Sequence, residues 1–199
     1  MSSMRVSWLF CLMSAGLMST VSHAAETPPL TVGQKVPTFN ANDHNGHLWQ
    51  SESQADAGGK YRVFYFYPAA MTGGCTTQAC NYRDRLLDSK EPNVEVLGIS
   101  ADPVTNLKIF RDAYDLNFTL LSDVNSLIAQ RFGVPIRKGD SIDLTVDGQE
   151  ITMTRSYTLA RWTFVADPQG KLIYVNTSVK AQKDGDVVLA AIKKHQGTQ

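Results

Sequence analysis

YRVFYFYPAAMTGGCTTQAC (residues 61–80) is the stretch of sequence that decides the fold. Its first seven residues are a nearly continuous run of aromatic and β-branched side chains, which predicts a buried β-strand. Pro68 ends the strand, because proline lacks the N–H group that a sheet requires. The polar-faced segment NYRDRLL (81–87) follows. The sequence therefore predicts a strand, a short loop and a helix whose first turn contains Cys75.

Strands and helices alternate on the C-terminal side of this stretch. VEVLGIS (94–100) predicts a second strand, and Asp102-Pro103 predicts the start of a helix to about Tyr114, with Asp102 as its N-cap. A short strand (118–121) and a short helix (126–132) follow. Gly133 can end that helix, because glycine adopts the left-handed conformation without strain.

Two hairpins and a last helix complete the chain. In SIDLTVDGQEITM (141–153), Asp147-Gly148 stands between alternating segments and predicts a tight hairpin. Residues 161–175 predict a second hairpin, and Asp184 is the predicted N-cap of a helix that ends near His195. Strands that alternate with helices, with hairpins at the edges, predict an α/β fold with a mixed central sheet and flanking helices.

The N-terminal segment is predicted to be a secretory signal peptide. Residues 1–24 carry one cation and no acid, then an apolar run, and they end in small residues. Cleavage after Ala24 leaves a Pro- and Thr-rich arm (25–36) and a single domain (37–199). The protein is therefore expected to be periplasmic or secreted.

The composition argues against several classes of protein. The 19 basic and 19 acidic residues are balanced, whereas a nucleic-acid binder normally carries a basic excess. No second apolar stretch of about 20 residues follows the signal segment, so no membrane span is expected. Cys75 and Cys80 are the cysteines that remain after cleavage, too few to complete a zinc site.

Cys75 is the candidate nucleophile. A helix N-terminus offers unpaired N–H groups and a partial positive charge, both of which stabilise a thiolate. Gly73 and Gly74 leave space for a small substrate, and the Thr72 hydroxyl can donate to an anion or accept from a protonated oxygen. This combination predicts a reactive cysteine beside a small oxyanion-type pocket. An inert structural disulfide with Cys80 is the alternative.

Three motifs resemble those of one enzyme family, the peroxiredoxins. Pro68-x3-Thr72-x2-Cys75 is similar to their active-site signature, and Cys80 five positions on resembles the bacterioferritin comigratory protein or peroxiredoxin Q subfamily. RWTFVADPQGK (161–171) is similar to the late strand that carries the family's active-site arginine. The resemblance extends from about residue 30 to the C-terminus and implies a thioredoxin-like fold.

The resemblance implies a role for each of these residues. Cys75 would be the peroxidatic cysteine, which reduces hydrogen peroxide or an organic hydroperoxide, and Cys80 would resolve its sulfenic acid as an intramolecular disulfide. Thr72 would orient the peroxide, Arg161 would stabilise the thiolate and the leaving oxygen, and Pro68 would shield the sulfur from water. The family implies no cofactor and a thioredoxin-like protein as the reductant. The expected assembly is a monomer or weak dimer.

Disulfide formation predicts a movement of the helix. Two Cα atoms five residues apart in a regular helix are about 8.7 Å apart. A disulfide requires roughly 4.4–6.8 Å. If one helix holds both cysteines, about Cys75 to Tyr82 must unwind in each catalytic cycle.

Some features leave alternatives open. Gly73 stands where many relatives have proline, and residues 136–155 form a longer hairpin than the subfamily's usual connection. An exported thiol–disulfide oxidoreductase of the thioredoxin type is the alternative enzyme, although its cysteines would be separated by two residues rather than four. A redox-inert binding module with a structural disulfide is a further alternative. Arg155 is the competitor of Arg161 for the position beside the sulfur.

Overall fold

The computed structural model describes residues 27–51, 59–88, 93–146 and 148–198, so the predicted signal peptide lies outside the described residues. Within these ranges the chain forms four helices: α1 (Gly73–Asp88), α2 (Val104–Ala113), α3 (Leu127–Phe132) and α4 (Asp184–Gln196). The same ranges contain eleven strands: β1 (Asn40–Asp43), β2 (Leu48–Gln50), β3 (Tyr61–Phe66), β4 (Val94–Ser100), β5 (Thr119–Ser122), β6 (Ile136–Lys138), β7 (Ser141–Val146), β8 (Gln149–Thr154), β9 (Tyr157–Leu159), β10 (Trp162–Ala166) and β11 (Leu172–Asn176).

Seven of these strands form the central sheet, in the order β11-β10-β3-β4-β5-β1-β2. The pairs β3–β4 and β4–β5 are parallel, and the other neighbouring pairs are antiparallel. The two parallel connections run through α1 and α2, as parallel pairing requires a crossover. The predicted mixed sheet with flanking helices is confirmed, and β4 has the predicted bounds.

The aromatic strand β3 lies at the centre of the core because its two faces are both covered. Tyr65 and Tyr67 point to the layer that contains α1, α2 and α4, and Phe64 and Phe66 point to the layer that contains α3. All four side chains are buried. Burial of each of the two phenylalanine side chains stabilises the fold by roughly 1.5–3 kcal/mol. The loop that follows β3 is therefore anchored at its start to a firmly packed strand.

Residues 136–159 form a β-ribbon outside the central sheet. β6 pairs with β9 and β7 with β8, both antiparallel. Val146 pairs with Gln149, so the connection has two residues, as the sequence predicts, and Gly148 has a φ of 79°. One face of the ribbon packs against the core layer that contains Tyr67, through apolar side chains: Ile142, Leu144, Ile151 and Met153.

The described part of the N-terminal arm is hydrogen-bonded to the sheet. The Gly33 N–H donates to the Leu172 carbonyl, and the Leu172 N–H donates to the Gln34 carbonyl, each at 2.8 Å. Among the residues that the structure describes, no helix is long and apolar enough to cross a membrane.

Two predicted helix caps are wrong. Pro103 occupies the N-cap position of α2, and Lys183 that of α4, each without a side-chain capping bond. Asp102 and Asp184 are 0% and 2% exposed, and both carboxylates turn inward. Each finds hydrogen-bond donors from distant parts of the chain, which compete successfully with the local capping role.

Candidate active site

Cys75 lies in the first turn of α1, just beyond the C-terminal end of β3, as predicted. Met71 takes a left-handed conformation (φ 65°) in the intervening loop. The Thr72 carbonyl then accepts the N–H groups of Cys75 and Thr76 at 2.9 and 2.8 Å, which starts the helix. The cysteine side chain is only 1% exposed. Its sulfur is thus held out of bulk water, next to the positive end of the helix dipole.

Arg161 is the cation beside this sulfur. It directly precedes β10, the antiparallel neighbour of β3, and this pairing brings it to the start of α1. Its Nη2 donates to the Cys75 Sγ at 3.2 Å, and its Nη1 donates to the Gln78 Oε1 at 2.5 Å. A Cβ on Gly74 would lie 3.3 Å from Nη2, so the glycine leaves room for the guanidinium. The Arg161 guanidinium therefore bridges Cys75 and Gln78, which lie one helical turn apart, and it faces the sulfur.

Thr72 and Pro68 flank Cys75 on the loop side. The Thr72 hydroxyl donates to the Ala69 carbonyl at 2.8 Å. The hydroxyl proton is therefore already used in this hydrogen bond. Only the lone pairs of the hydroxyl oxygen remain, and they can accept a hydrogen bond from a substrate O–H. Of the two hydroxyl roles that the sequence allows, the structure favours the acceptor. Pro68 is half-buried, one residue beyond Tyr67.

Cys80 lies further along the same helix, and both cysteines are free thiols. It is half-buried, and this burial raises the pKa of its thiol. Arg83 lowers that pKa and Asp84 raises it, each by a smaller amount. Cys80 is therefore protonated in the intact helix at neutral pH, and a protonated thiol is a poor nucleophile.

A buried carboxylate lies behind Arg161. Gln78, which is fully buried, accepts from Arg161 and donates through its Nε2 to the Asp184 Oδ2 at 2.7 Å. The same oxygen accepts the Tyr82 hydroxyl at 2.8 Å and the Thr163 hydroxyl at 2.7 Å. Sequence reasoning missed Gln78 and assigned Asp184 only the role of a helix cap. The spacing of three residues from Cys75 could have placed Gln78 on the same helix face.

A second buried carboxylate lies on the loop side of Cys75. Asp102 accepts the Ala70 N–H through Oδ2 at 2.8 Å and the Arg155 Nε through Oδ1 at 2.9 Å. It also accepts from the Ser100 hydroxyl and the Asn106 amide, both at 3.1 Å. Arg155 is 5% exposed and pairs with Asp102. Of the two candidate arginines, it is Arg161 that donates to the sulfur.

Comparison with known proteins identifies the family. Residues 32–175 match the AhpC/TSA family, so the chain belongs to that family, as a peroxiredoxin of the Bcp and peroxiredoxin Q type. It is 36% identical over 168 residues to peroxiredoxin Bcp of Escherichia coli (strain K12), covering 84% of this chain and 98% of that protein.

Solved structures agree with this membership. Peroxidoxin BcpB of Mycobacterium tuberculosis is similar at a TM-score of 0.66 and 29% identity, covering 82% of this chain and 96% of that one. The bacterioferritin comigratory protein of Xanthomonas campestris, described for its alkyl peroxide reduction activity, is similar at a TM-score of 0.63 and 25% identity, covering 79% and 91%. The thioredoxin-like fold of the peroxiredoxin type is confirmed, and the chain is a peroxiredoxin-type peroxidase. That family implies a peroxide substrate and a thioredoxin-type reductant.

Proposed function

We propose that Cys75 is the peroxidatic cysteine, and the observation that carries this proposal is the Arg161 Nη2 at 3.2 Å from its sulfur. The Cys75 thiolate attacks one peroxide oxygen; an S–O bond forms and the O–O bond breaks. The sulfur is oxidised to a sulfenic acid, and the leaving oxygen takes a proton to depart as water or an alcohol. Arg161 stabilises the thiolate first and the leaving oxygen afterwards.

Thr72 orients the peroxide in this proposal. Its hydroxyl proton is bonded to the Ala69 carbonyl, so its lone pairs accept the O–H of the bound hydroperoxide. Gly73 is exposed and has open space where a Cβ would stand. The substrate therefore approaches the sulfur over the backbone of the first turn, while Pro68 limits the access of water from the loop side.

Cys80 resolves the sulfenic acid. Its sulfur attacks the Cys75 Sγ; an S–S bond forms, the S–O bond breaks, and water leaves with the thiol proton. Both cysteines lie within α1, where their Cα atoms are about 8.7 Å apart by helix geometry. The first turns of α1 unwind to bring the sulfurs together. Unwinding also exposes Cys80 to water, which removes the burial that raises its pKa.

The substrate range, the reductant and the location complete the proposal. Hydrogen peroxide and organic hydroperoxides are the proposed substrates, and the alkyl peroxide reduction described for the Xanthomonas campestris relative supports the organic class. A thioredoxin-like protein reduces the disulfide. The composition of residues 1–24 supports export to the periplasm or beyond, where that reductant acts.

The test compares two matched serine substitutions. Cys75→Ser is expected to abolish peroxide consumption with the fold intact. Cys80→Ser is expected to consume one equivalent and stop as a sulfenic acid at Cys75, trapped by a sulfenate-reactive probe and located by mass. Substantial turnover by the Cys75 variant would refute the assignment. Insulin reduction without peroxide consumption would instead identify a thiol–disulfide oxidoreductase of the thioredoxin type.

A further inference from the structure

Asp184 is a buried carboxylate that bonds to the segment between the two cysteines. Its Oδ2 accepts from Gln78 and Tyr82 on α1 and from Thr163 on β10, at 2.7–2.8 Å. Its Oδ1 is buried and has no hydrogen-bond partner among the described residues. No described cation pairs with it either. This carboxylate therefore depends on neutral donors. Two of them, Gln78 and Tyr82, belong to the segment from Cys75 to Tyr82 that is expected to unwind.

Unwinding breaks these bonds. Gln78 and Tyr82 reach Asp184 only from the intact helix, because they lie four residues apart on one helix face. When the segment from Cys75 to Tyr82 opens, both donors are withdrawn. Water can then reach the carboxylate, including the oxygen that lacks a partner. Hydration offsets part of the loss, which lowers the free-energy cost of opening while the closed helix remains favoured.

We propose that Asp184 is a positioning residue that acts as a latch on α1. When the latch is closed, Asp184 accepts from the Gln78 Nε2 and so fixes the Gln78 side chain. The Gln78 Oε1 then holds the Arg161 guanidinium against Cys75. With the latch open, Cys80 is released to attack the sulfenic acid. Asp184 thus favours the peroxide step and delays disulfide formation. This proposal rests on the proposed function of the two cysteines.

The latch also determines how often Cys75 is overoxidised. While the helix remains closed, the sulfenate can attack a second peroxide: a second S–O bond forms, an O–O bond breaks, and sulfinic acid and water or an alcohol result. Faster opening shortens this interval. The sulfinic fraction per turnover is therefore expected to fall whenever the latch is weakened.

Two variants separate the parts of the latch. Tyr82→Phe removes one bond to Asp184 but keeps the ring, which stacks on Tyr65 at 4.9 Å between centroids. It is expected to accelerate disulfide formation about tenfold, equivalent to about 1.4 kcal/mol, and to leave the peroxide step unchanged. Asp184→Ala also frees Gln78, so it is expected to accelerate disulfide formation and to slow the oxidation of Cys75.

Asp186→Ala is the matched control. Asp186 lies two residues further along α4 and pairs with Arg85 of α1 at 2.7 Å, with both side chains 45% exposed. That bond lies outside the segment from Cys75 to Tyr82. We expect Asp186→Ala to match the wild-type protein in both steps, since an exposed pair contributes little.

Rapid mixing with peroxide measures both steps, because oxidation of Cys75 depends on peroxide concentration and disulfide formation does not. Mass spectrometry gives the sulfinic fraction, and amide exchange of residues 75–82 in the reduced protein reports opening directly. Rates and exchange in Tyr82→Phe and Asp184→Ala that equal those of Asp186→Ala would refute the latch alone. A wild-type protein that consumes peroxide without a Cys75–Cys80 disulfide would refute the resolving step and the latch together.

Discussion

The two sides of Cys75 rest on two buried carboxylates that are satisfied in different ways. On the loop side, Asp102 pairs with the Arg155 guanidinium and holds the Ala70 N–H of the loop. On the helix side, Asp184 accepts from three neutral side chains. The first arrangement neutralises the charge inside the protein. The second places no cation from the described part of the chain beside the carboxylate, and water can replace its donors.

This difference matches what each side does in the proposed cycle. The loop of residues 68–72 orients the peroxide and keeps its shape, so a buried ion pair with further hydrogen bonds is suited to it. The first turns of α1 must open and close again, so donors that can be exchanged for water are suited to them. A buried pair resists opening because both charges would lose their partner. We therefore expect substitutions on the loop side to affect stability and those on the helix side to affect rates.

Arg155→Met is expected to give the largest loss of stability. It leaves the Asp102 carboxylate buried without a cation, which costs about 3–5 kcal/mol when one partner of a buried pair is removed. Urea unfolding of the reduced protein measures the change. A loss below about 1 kcal/mol would show that Asp102 is satisfied by its neutral donors, as Asp184 is, and would remove the contrast between the two sides.

Arg161→Met is the matched substitution at the arginine that donates to the Cys75 sulfur. Arg161 is half-buried and donates to a sulfur and an amide oxygen rather than to a carboxylate. Oxidation of Cys75 is expected to slow about a hundredfold, as for the loss of one oxyanion donor, while stability changes little. Stopped-flow rates and urea curves of the two Met variants test this separation. A destabilisation equal to that of Arg155→Met would contradict it.

The sequence predicts the architecture better than it predicts these two carboxylates. β4, the first turn of α1 and the two-residue connection of the β7–β8 hairpin follow from local patterns, and the structure has them. The predicted N-caps fail because capping propensity is local. The Arg155 partner of Asp102 lies 53 residues away, and the Tyr82 partner of Asp184 lies 102 residues away. Only the folded chain brings such groups together, and no spacing in the sequence encodes that.

Gly139→Ala is expected to disturb the loop side from a distance. A Cβ at Gly139 would lie 2.1 Å from the Arg155 carbonyl oxygen, so the ribbon backbone must shift. Overpacking of this kind costs about 1–3 kcal/mol. Because the shift moves Arg155 relative to Asp102, the free energy of unfolding measured in urea is expected to fall while disulfide formation keeps its rate. An accelerated disulfide step would show that the ribbon also supports the helix side.

Asp123 provides a third buried carboxylate, one satisfied by backbone groups. It accepts the N–H groups of Ile128 and Ala129, yet burial raises its pKa from 3.8 to about 6. The folded protein therefore binds this proton more tightly than the unfolded chain. Its contribution to stability is fully present below about pH 4 and is lost as the pH rises towards 6.

Asp123→Asn is expected to remove this pH dependence. The free energy of unfolding of the wild-type protein, relative to that of the variant, should rise by about 1–3 kcal/mol as the pH falls from 7 to 4. Urea unfolding at several pH values measures the difference. A difference that does not vary with pH would show that the two N–H bonds offset the burial, and that backbone donors can satisfy a buried carboxylate as well as Arg155 does.

Gly73→Pro is expected to have the smallest effect. It acts on the helix side, where it should slow disulfide formation, whereas Tyr82→Phe should accelerate it. Gly73 is the first residue of α1, its Cβ position has open space, and its φ is not positive. Proline is favoured at a first helical position because its missing N–H is one that the helix does not use. Restricting the unwound chain should stabilise the closed helix by about 0.4–1 kcal/mol, and disulfide formation should slow by about two- to fivefold.

Amide exchange of residues 75–82 and the rate of the peroxide-independent phase measure this change. Faster exchange would mean that proline forces Thr72 out of its conformation, and that the glycine is required for the loop rather than for the motion of the helix.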